Sequence, residues 1–140
     1  MAKDSVSAMI VIQNALLASA MSKRVGNHLC VHGLSVSDYL VMHYLNGSPH
    51  GAVPRIELAE HLGMSASGVT RMIAPMERNN IIEKEANPRD ARQSLVRLSE
   101  TGRQLFKDAH KSFEYIAEEM VKHLSENQRM RLIELMSRMM

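Results

Sequence analysis

The sequence predicts a mainly α-helical chain with one small β-hairpin, arranged as two lobes. Three observations carry that reading: apolar residues at helical spacing near both ends, a helix-breaker-helix pattern in the middle, and two short alternating segments separated by turn formers. At 140 residues the chain is long enough for a real core and too short for a large cofactor fold. Its 17 Lys and Arg against 15 Asp and Glu give a net charge of +2. That excludes a highly basic tail binder but not a nucleic-acid partner, because patches matter more than totals. A single Cys cannot form an intramolecular disulfide. Residues 1–7 lack the layout of a signal peptide, and the longest apolar runs, residues 8–12 and 15–18, fall far short of a membrane span. A soluble, cytoplasmic chain with no membrane partner is therefore expected.

The first helix runs from Val6 to about Leu29, with Val6, Met9, Ile10, Leu16, Leu17, Ala20, Met21 and Val25 at helical spacing. Between Met9 and Ile12 it is apolar on all sides, so this end needs cover from two directions. Ser35-Val-Ser-Asp38 reads as a capping box and starts a second helix. That helix is expected to turn Val36, Tyr39, Leu40, His43 and Tyr44 inward and to stop at Asn46-Gly-Ser-Pro49.

Residues 54–79 carry the most specific local pattern. Pro54 suits a first helical turn, Ile56, Ala59 and Leu62 form a short inward stripe, and Gly63 breaks the helix. Ser65 caps the next helix, which buries Val69, Met72, Ile73 and Met76. The Ala59, Gly63 and Val69 spacing is that of a helix-turn-helix: a small residue for close approach, permissive turn dihedrals, and a wedge between the helices. Pro75 lies inside the second helix and is expected to kink or end it, leaving residues 77–80 as a loose exit.

Residues 81–86 and Ser94-Leu-Val-Arg-Leu-Ser99 read as two strands, with Val96 and Leu98 alternating inward. Asn87-Pro-Arg-Asp-Ala-Arg92 between them is polar and rich in turn formers. A helix-turn-helix followed by a hairpin with a basic tip is a winged helix. Two helices close the chain. One runs from about Thr101 with Leu105, Ala109, Phe113, Ile116, Ala117, Met120, Val121 and Leu124 in phase; the other is opened by the capping box Ser125-Glu-Asn-Gln128. The lobes are thus residues 1–34 with 101–140, for dimerisation, and residues 35–100, for DNA binding.

The helix after the turn presents Ser65, Ser67, Gly68, Thr70 and Arg71 opposite its buried stripe. Short hydroxyls permit close approach to a major groove, and Arg71 can pair with guanine. Arg55, opening the motif's first helix, joins the candidate DNA contacts. Arg89 and Arg92 flank Asp90 in the wing; an Asp90–Arg pair is expected to stiffen the tip and aim the other arginine at a minor groove. The last helix carries Leu132, Leu135, Met136 and Met139 on one side and needs a neighbour. A homodimer through Val6, Ile10, Val121, Leu132, Leu135, Met136 and Met139 is expected, with a monomeric bundle as the alternative.

The chain resembles the MarR family (multiple antibiotic resistance regulators) of bacterial transcription factors over residues 6–140. The core of the resemblance is Leu58-Ala-Glu-His-Leu-Gly-Met-Ser65, Val69-Thr-Arg-Met-Ile-Ala-Pro-Met-Glu77, and Asn87-Pro-Arg-Asp-Ala-Arg92 leading to Leu95-Val-Arg-Leu-Ser-Glu-Thr-Gly102. The resemblance implies an obligate homodimer built from both termini and a palindromic double-stranded operator. It further implies repression relieved by a small aromatic or phenolic effector lodged where the lobes meet. By position, Ser65, Ser67, Thr70 and Arg71 correspond to recognition-helix contacts and Arg92 to the minor-groove wing residue. Ala91 departs from the basic residue many relatives carry there, with Arg89 upstream as its substitute.

For an effector, the Met wall Met9, Met21, Met42 and Met120, drawn from 12 methionines, together with Leu16 and His43, forms the candidate pocket. His28, Cys30 and His32 resemble metal ligands on paper, with His43, His110 and Glu114 as possible supplements. On one continuous helix, however, Cys30 points away from the two histidines. No metal and no other cofactor is expected, and a metal- or thiol-sensing regulator is kept as an alternative. A winged-helix interaction module without DNA binding is another. Catalysis is not expected: the sequence has no phosphate-binding Gly loop, nucleophile elbow or His-Glu metal motif.

Overall fold

The computed structural model describes residues 2–140. Helix α1 (Val6–Leu29) passes through a single tight turn, Cys30–His32, to α2 (Val36–Gly47). Strand β1 (Ala52–Pro54), α3 (Arg55–Leu62), α4 (Ala66–Arg78), β2 (Ile82–Ala86) and β3 (Ser94–Leu98) follow, and α5 (Glu100–Val121) and α6 (Glu126–Ser137) end the chain. Both expected capping boxes form, at Ser35–Asp38 and Ser125–Gln128. Each satisfies two backbone N–H groups that the helix ladder leaves free.

The sheet is antiparallel in the order β1-β3-β2. The hairpin pairs Ile82 with Leu98 and Ala86 with Ser94, as the alternation of Val96 and Leu98 requires. Strand β1 is unforeseen. Three residues are too few for a periodic signal, and its partner Val96 lies far along the chain from Val53.

A single cluster of buried side chains runs from Val25 and Leu29 in α1 through Tyr39, Val41, Met42 and Leu45 in α2. It continues through Leu58, Ala59, Val69, Ile73 and Val96 to Phe106, Ala109 and Ile116 in α5. Burial of each large member is worth about 1.5–3 kcal/mol, so the cluster supplies most of the fold's cohesion. The inward face of α2 differs from expectation: Tyr39 is buried, but Leu40 and His43 are exposed while Val41, Met42 and Leu45 point in. This helix is apolar on more than one side, so periodicity alone does not choose the face. Ile56, expected inward, is also exposed, and Leu58 takes its place beside Ala59.

Pro75 neither ends nor replaces the last turn of α4, which continues to Arg78. The proline removes the N–H that would bond to the Arg71 carbonyl. Both residues are exposed, so water can take that carbonyl. The segment Val6–His32 is long and apolar enough to cross a membrane by length and composition, with mean hydropathy 1.3 over its most apolar 18 residues, which corrects the expectation of short runs only. Its C-terminal half, however, packs on α5 through Val25 and Leu29, and the helix carries Gln13, Asn14, Lys23 and Arg24.

The link between wing and α5 is built on Ser99. Its hydroxyl caps α5 by accepting from the Gly102 N–H at 2.9 Å and donates to the carbonyls of Asn80 and Ile81, at 2.5 and 3.2 Å. A Cβ on Gly102 would collide with the Ile81 carbonyl oxygen, so only glycine lets the start of α5 lie this close to the strand. Gly102→Ala is expected to destabilise the protein by about 2–3 kcal/mol, through a backbone clash that no side-chain rotation relieves. A chemical denaturation midpoint equal to that of the wild-type chain would show that the junction relaxes freely.

Candidate nucleic-acid interface

Helices α3 and α4 meet at the turn that the Ala59, Gly63 and Val69 spacing anticipates. Gly63 takes φ 65°, a left-handed conformation that closes α3 while the Met64 N–H donates to the Ala59 carbonyl at 2.9 Å. Ala59 and Val69 are buried against each other's helices. With Val69, Ile73 and Met76 holding one side of α4 in the core, Ser67, Thr70 and Arg71 are exposed on the remainder of its surface.

The exposed hydroxyls are not equivalent. Ser65 is the N-cap of α4: its oxygen accepts from the Gly68 N–H at 3.1 Å and lies 3.3 Å from the Ser67 hydroxyl. Ser65 is therefore partly committed to the helix, whereas Ser67 keeps more freedom. The Thr70 hydroxyl donates back to the Ala66 carbonyl at 3.1 Å, which leaves its lone pairs as acceptors. Arg71 forms no ion pair among the described residues.

The wing is stiffened by a different device from the one expected. Asp90 does not pair with a guanidinium; its Oδ1 accepts from the Arg92 backbone N–H at 3.0 Å. Asn87 does the same for the Arg89 N–H at 3.0 Å, and the Gln93 N–H donates to the Asp90 carbonyl at 3.1 Å. Two consecutive side-chain-closed turns thus shape the tip, and the guanidiniums of Arg89 and Arg92 both stay exposed and outside any ion pair among the described residues. Arg97 is different: it lies 3.7 Å from Glu83 and 3.8 Å from Glu85 across the hairpin, so its charge is locally offset.

Arg55 also leaves the exposed set. It lies between α4 and β3, donating from Nη2 to Glu77 Oε1 at 2.6 Å and from Nε to Ser94 Oγ at 3.4 Å. Glu77 and Ser94 escaped the sequence reading. The available signal was a carboxylate in the last turn of a helix, where the helix dipole disfavours it.

The candidate effector residues are not gathered into one cavity. Met42 is fully buried, Met21 and Met120 are half-buried, and Met9, Leu16 and His43 are exposed. Of these, Met21 lines a groove of about 630 Å³ with Ile10, Leu17, Val121, Leu132 and Met136, between α1, the end of α5 and α6. Among the candidate interface residues, Val6, Ile10, Leu132, Leu135, Met136 and Met139 are exposed and Val121 is half-buried. A smaller cavity of about 360 Å³ is lined by Asn46, Arg103, Phe106, Lys107 and His110. Behind it Tyr39 stacks on Phe113 and Phe106, at ring distances of 4.3 and 5.2 Å. Burial, with the nearby Glu114 carboxylate, pushes the Tyr39 phenol up to about 12, so it stays neutral and shares a hydrogen bond of 3.1 Å with His110 Nδ1. The metal-like histidines go to separate partners: His32 to Ser112 at 2.8 Å, His28 beside the Tyr115 ring, and His110 to Tyr39. The Cys30 thiol donates to the Asn27 carbonyl at 3.1 Å.

A family model described as MarR family matches residues 32–93. YxaD of Bacillus subtilis (strain 168), an HTH-type transcriptional regulator, is 32% identical over 129 residues, covering 91% of this chain and 84% of YxaD. YdgJ, an HTH-type transcriptional regulator of the same organism, is 28% identical over 87 residues, or 62% of this chain. That match spans about half of YdgJ, 53% of its length. Among solved structures, the Staphylococcus aureus MepR–DNA complex shares the fold with a TM-score of 0.83 at 16% identity, covering 98% of this chain and 97% of MepR. The organohalide-sensing regulator RdhR in its 2,4-dichlorophenol-bound form gives 0.86 at 14% identity, covering 98% of this chain and 80% of RdhR. The family and these relatives are regulators of transcription rather than enzymes. With YxaD matched along most of both chains and the family model covering the helix-turn-helix, β2 and the hairpin tip, this chain belongs to the MarR family of DNA-binding, winged-helix transcriptional regulators.

Proposed function

We propose that the chain acts in the cytoplasm as a homodimeric repressor of transcription that binds a palindromic operator and is released by a small aromatic effector. The observation that carries this reading is the pairing of an exposed, small-residue face on α4 with a wing tip whose two arginines, Arg89 and Arg92, are in no ion pair among the described residues. Residues 35–100 form the DNA-binding lobe. In it Ser67, Thr70 and Arg71 address a major groove, with Ser65 contributing while it caps the helix. Arg89 and Arg92 reach the neighbouring minor groove, where the negative potential is strongest, and Asp90 shapes the tip. Residues 1–34 and 101–140 form the dimerisation lobe. Support for it comes from the exposed apolar residues of α1 and α6, including Val6, Ile10, Leu132, Leu135, Met136 and Met139. Unpartnered faces of this kind usually mark interfaces.

In a dimer the two recognition helices must match successive major grooves about 34 Å apart. An effector that binds one spacing better than the other shifts the population away from the DNA-competent form. The MepR complex supports the DNA partner, and RdhR, with its bound chlorophenol, supports an aromatic effector. The cavity lined by Asn46 and His110, with Phe106 in its wall and Arg103 and Lys107 at its rim, fits an acidic ring better than the dispersed methionines do.

The test is binding to a duplex selected from random DNA by the wild-type chain, followed by fluorescence anisotropy between 50 and 200 mM salt. Affinity should fall steeply as salt rises; a flat response or no selected sequence argues for an interaction module instead. Arg92→Ala should weaken binding similarly on all sequences and lower the salt slope by about one. Arg71→Ala should cost about 1–3 kcal/mol on the selected duplex and relax base preference at one position. Equal, small effects from both would contradict the assigned roles. Removal of residues 132–140 should give monomers or insoluble chain in sedimentation analysis, whereas a stable dimer that still binds DNA would place the interface elsewhere.

A further inference from the structure

Arg55 and Glu77 are each misplaced with respect to their own helix. Arg55 opens α3, where the partial positive charge of the helix end disfavours a cation. Glu77 occupies the last turn of α4, where the partial negative charge disfavours a carboxylate. The two faults are resolved together, because Arg55 Nη2 and Glu77 Oε1 are 2.6 Å apart. Lys84 in β2 lies 3.5 Å from the other Glu77 oxygen, and Ser94 in β3 accepts from Arg55 Nε. One polar knot therefore joins α3, α4, β2 and β3.

The knot sits where α4 is weakest. Pro75 leaves the final turn one ladder bond short, and Glu77 two residues on is the side chain that ties that turn to the rest. The side chains of Arg55 and Glu77 are only 19% and 22% exposed, so screening by solvent is reduced. Arg55 Nη1 is buried with no hydrogen-bond partner, Nη2 is held by Glu77, and Nε is directed at Ser94. A phosphate could be reached only by giving up the bond to Glu77.

We propose that Arg55 and Glu77 are positioning residues for DNA recognition. They fix the tilt of α4 against the wing so that Arg71 and Arg92 address one duplex in register, and Arg55 does not itself contact phosphate. Binding constellations need their parts held to within about 0.5 Å and 10–20°, which a helix end short of one hydrogen bond does not achieve alone. The inference rests on the DNA-binding reading above.

The experiment compares the full-length wild-type chain with Arg55→Met, Glu77→Gln and the charge-swapped Arg55→Glu/Glu77→Arg double variant. The probes are a duplex selected from random DNA by the wild-type chain and a scrambled duplex of the same length. Each single variant should lose about tenfold in affinity for the selected duplex, keep its affinity for the scrambled one, and keep the wild-type salt slope. Removing the negative charge of Glu77 would tighten DNA binding if electrostatic attraction alone mattered, so a loss in Glu77→Gln is the sharp result. The double variant should regain much of the discrimination, because the swapped charges suit both helix dipoles and the exposed Lys84 can swing away from the new guanidinium; it also keeps the test decisive if a single variant folds poorly. A fall of about one in the salt slope for Arg55→Met, with Glu77→Gln unchanged or tighter, would make Arg55 a phosphate contact and overturn the proposal. Unchanged discrimination in all three folded variants would remove the knot from recognition. A wild-type chain that selects no duplex would overturn the DNA-binding reading itself, and the positioning role with it.

Discussion

The Ser99 hydroxyl holds the carbonyls of Asn80 and Ile81 and, as an acceptor, the Gly102 N–H, so three backbone groups converge on one side chain. Ser99 is the buried polar residue of the core among the described residues, and its full satisfaction is what makes that burial tolerable. Asn80, which leaves α4 with φ 58°, sets where β2 begins. The Ser99 N–H donates to the Ile81 carbonyl at 2.9 Å and sets where β3 ends. Gly102 then admits α5 against the same carbonyl. The direction of the wing and the direction of α5 are therefore one decision rather than two. The rest of the winged helix hangs on it, since β3 is the central strand and carries both β1 and β2.

Electrostatics within this frame leave few charges free. Residues 54–99 carry seven Lys and Arg and six Asp and Glu, so the lobe has no general attraction for an anion. The structure divides the basic residues further. Arg97 faces Glu83 and Glu85, while Arg55 and Lys84 share Glu77. Arg71, Arg78, Arg89 and Arg92 remain. Two of these sit on turns closed by Asn87 and Asp90 through backbone N–H groups rather than through their own side chains. Closing the tip in this way rigidifies the hairpin without consuming a guanidinium, which a pair between Asp90 and an arginine would have done.

Local chemistry was legible in the residues, and choices that depend on distant partners were not. Both capping boxes, the Gly63 turn and the hairpin register follow from side chains within four residues of one another or from strict alternation, so the sequence determines them directly. The face of α2 does not, because Leu40 and Val41 are equally apolar and only packing against α5 chooses between them. Strand β1 exists because Val53 finds Val96, and the Arg55–Glu77 pair because two helices cross. The exposed face of α4 was readable, since the motif spacing fixes which side is buried. A shared cavity for the candidate effector residues was not legible, since a cavity is a property of several elements at once, and the methionines sit in different environments.

The same distinction explains how distant ends of the chain can influence the wing. Helix α5 spans 22 residues, about 33 Å of stiff rod. Its N-terminus is fixed at Ser99, and its far end borders the apolar groove with α1 and α6. The cavity lined by Phe106 and His110 lies along the same rod, nearer the Ser99 end. Helix α5 also packs on α1 and α2 through buried Phe106, Ala109 and Ile116, which leaves it little room to bend. Under the proposed function, an effector that rearranges its apolar end, or wedges against Phe106, would move the rod as a body and carry the Ser99 junction with it. In the proposed dimer that movement becomes a change in the distance between two recognition helices, the quantity a palindromic operator measures.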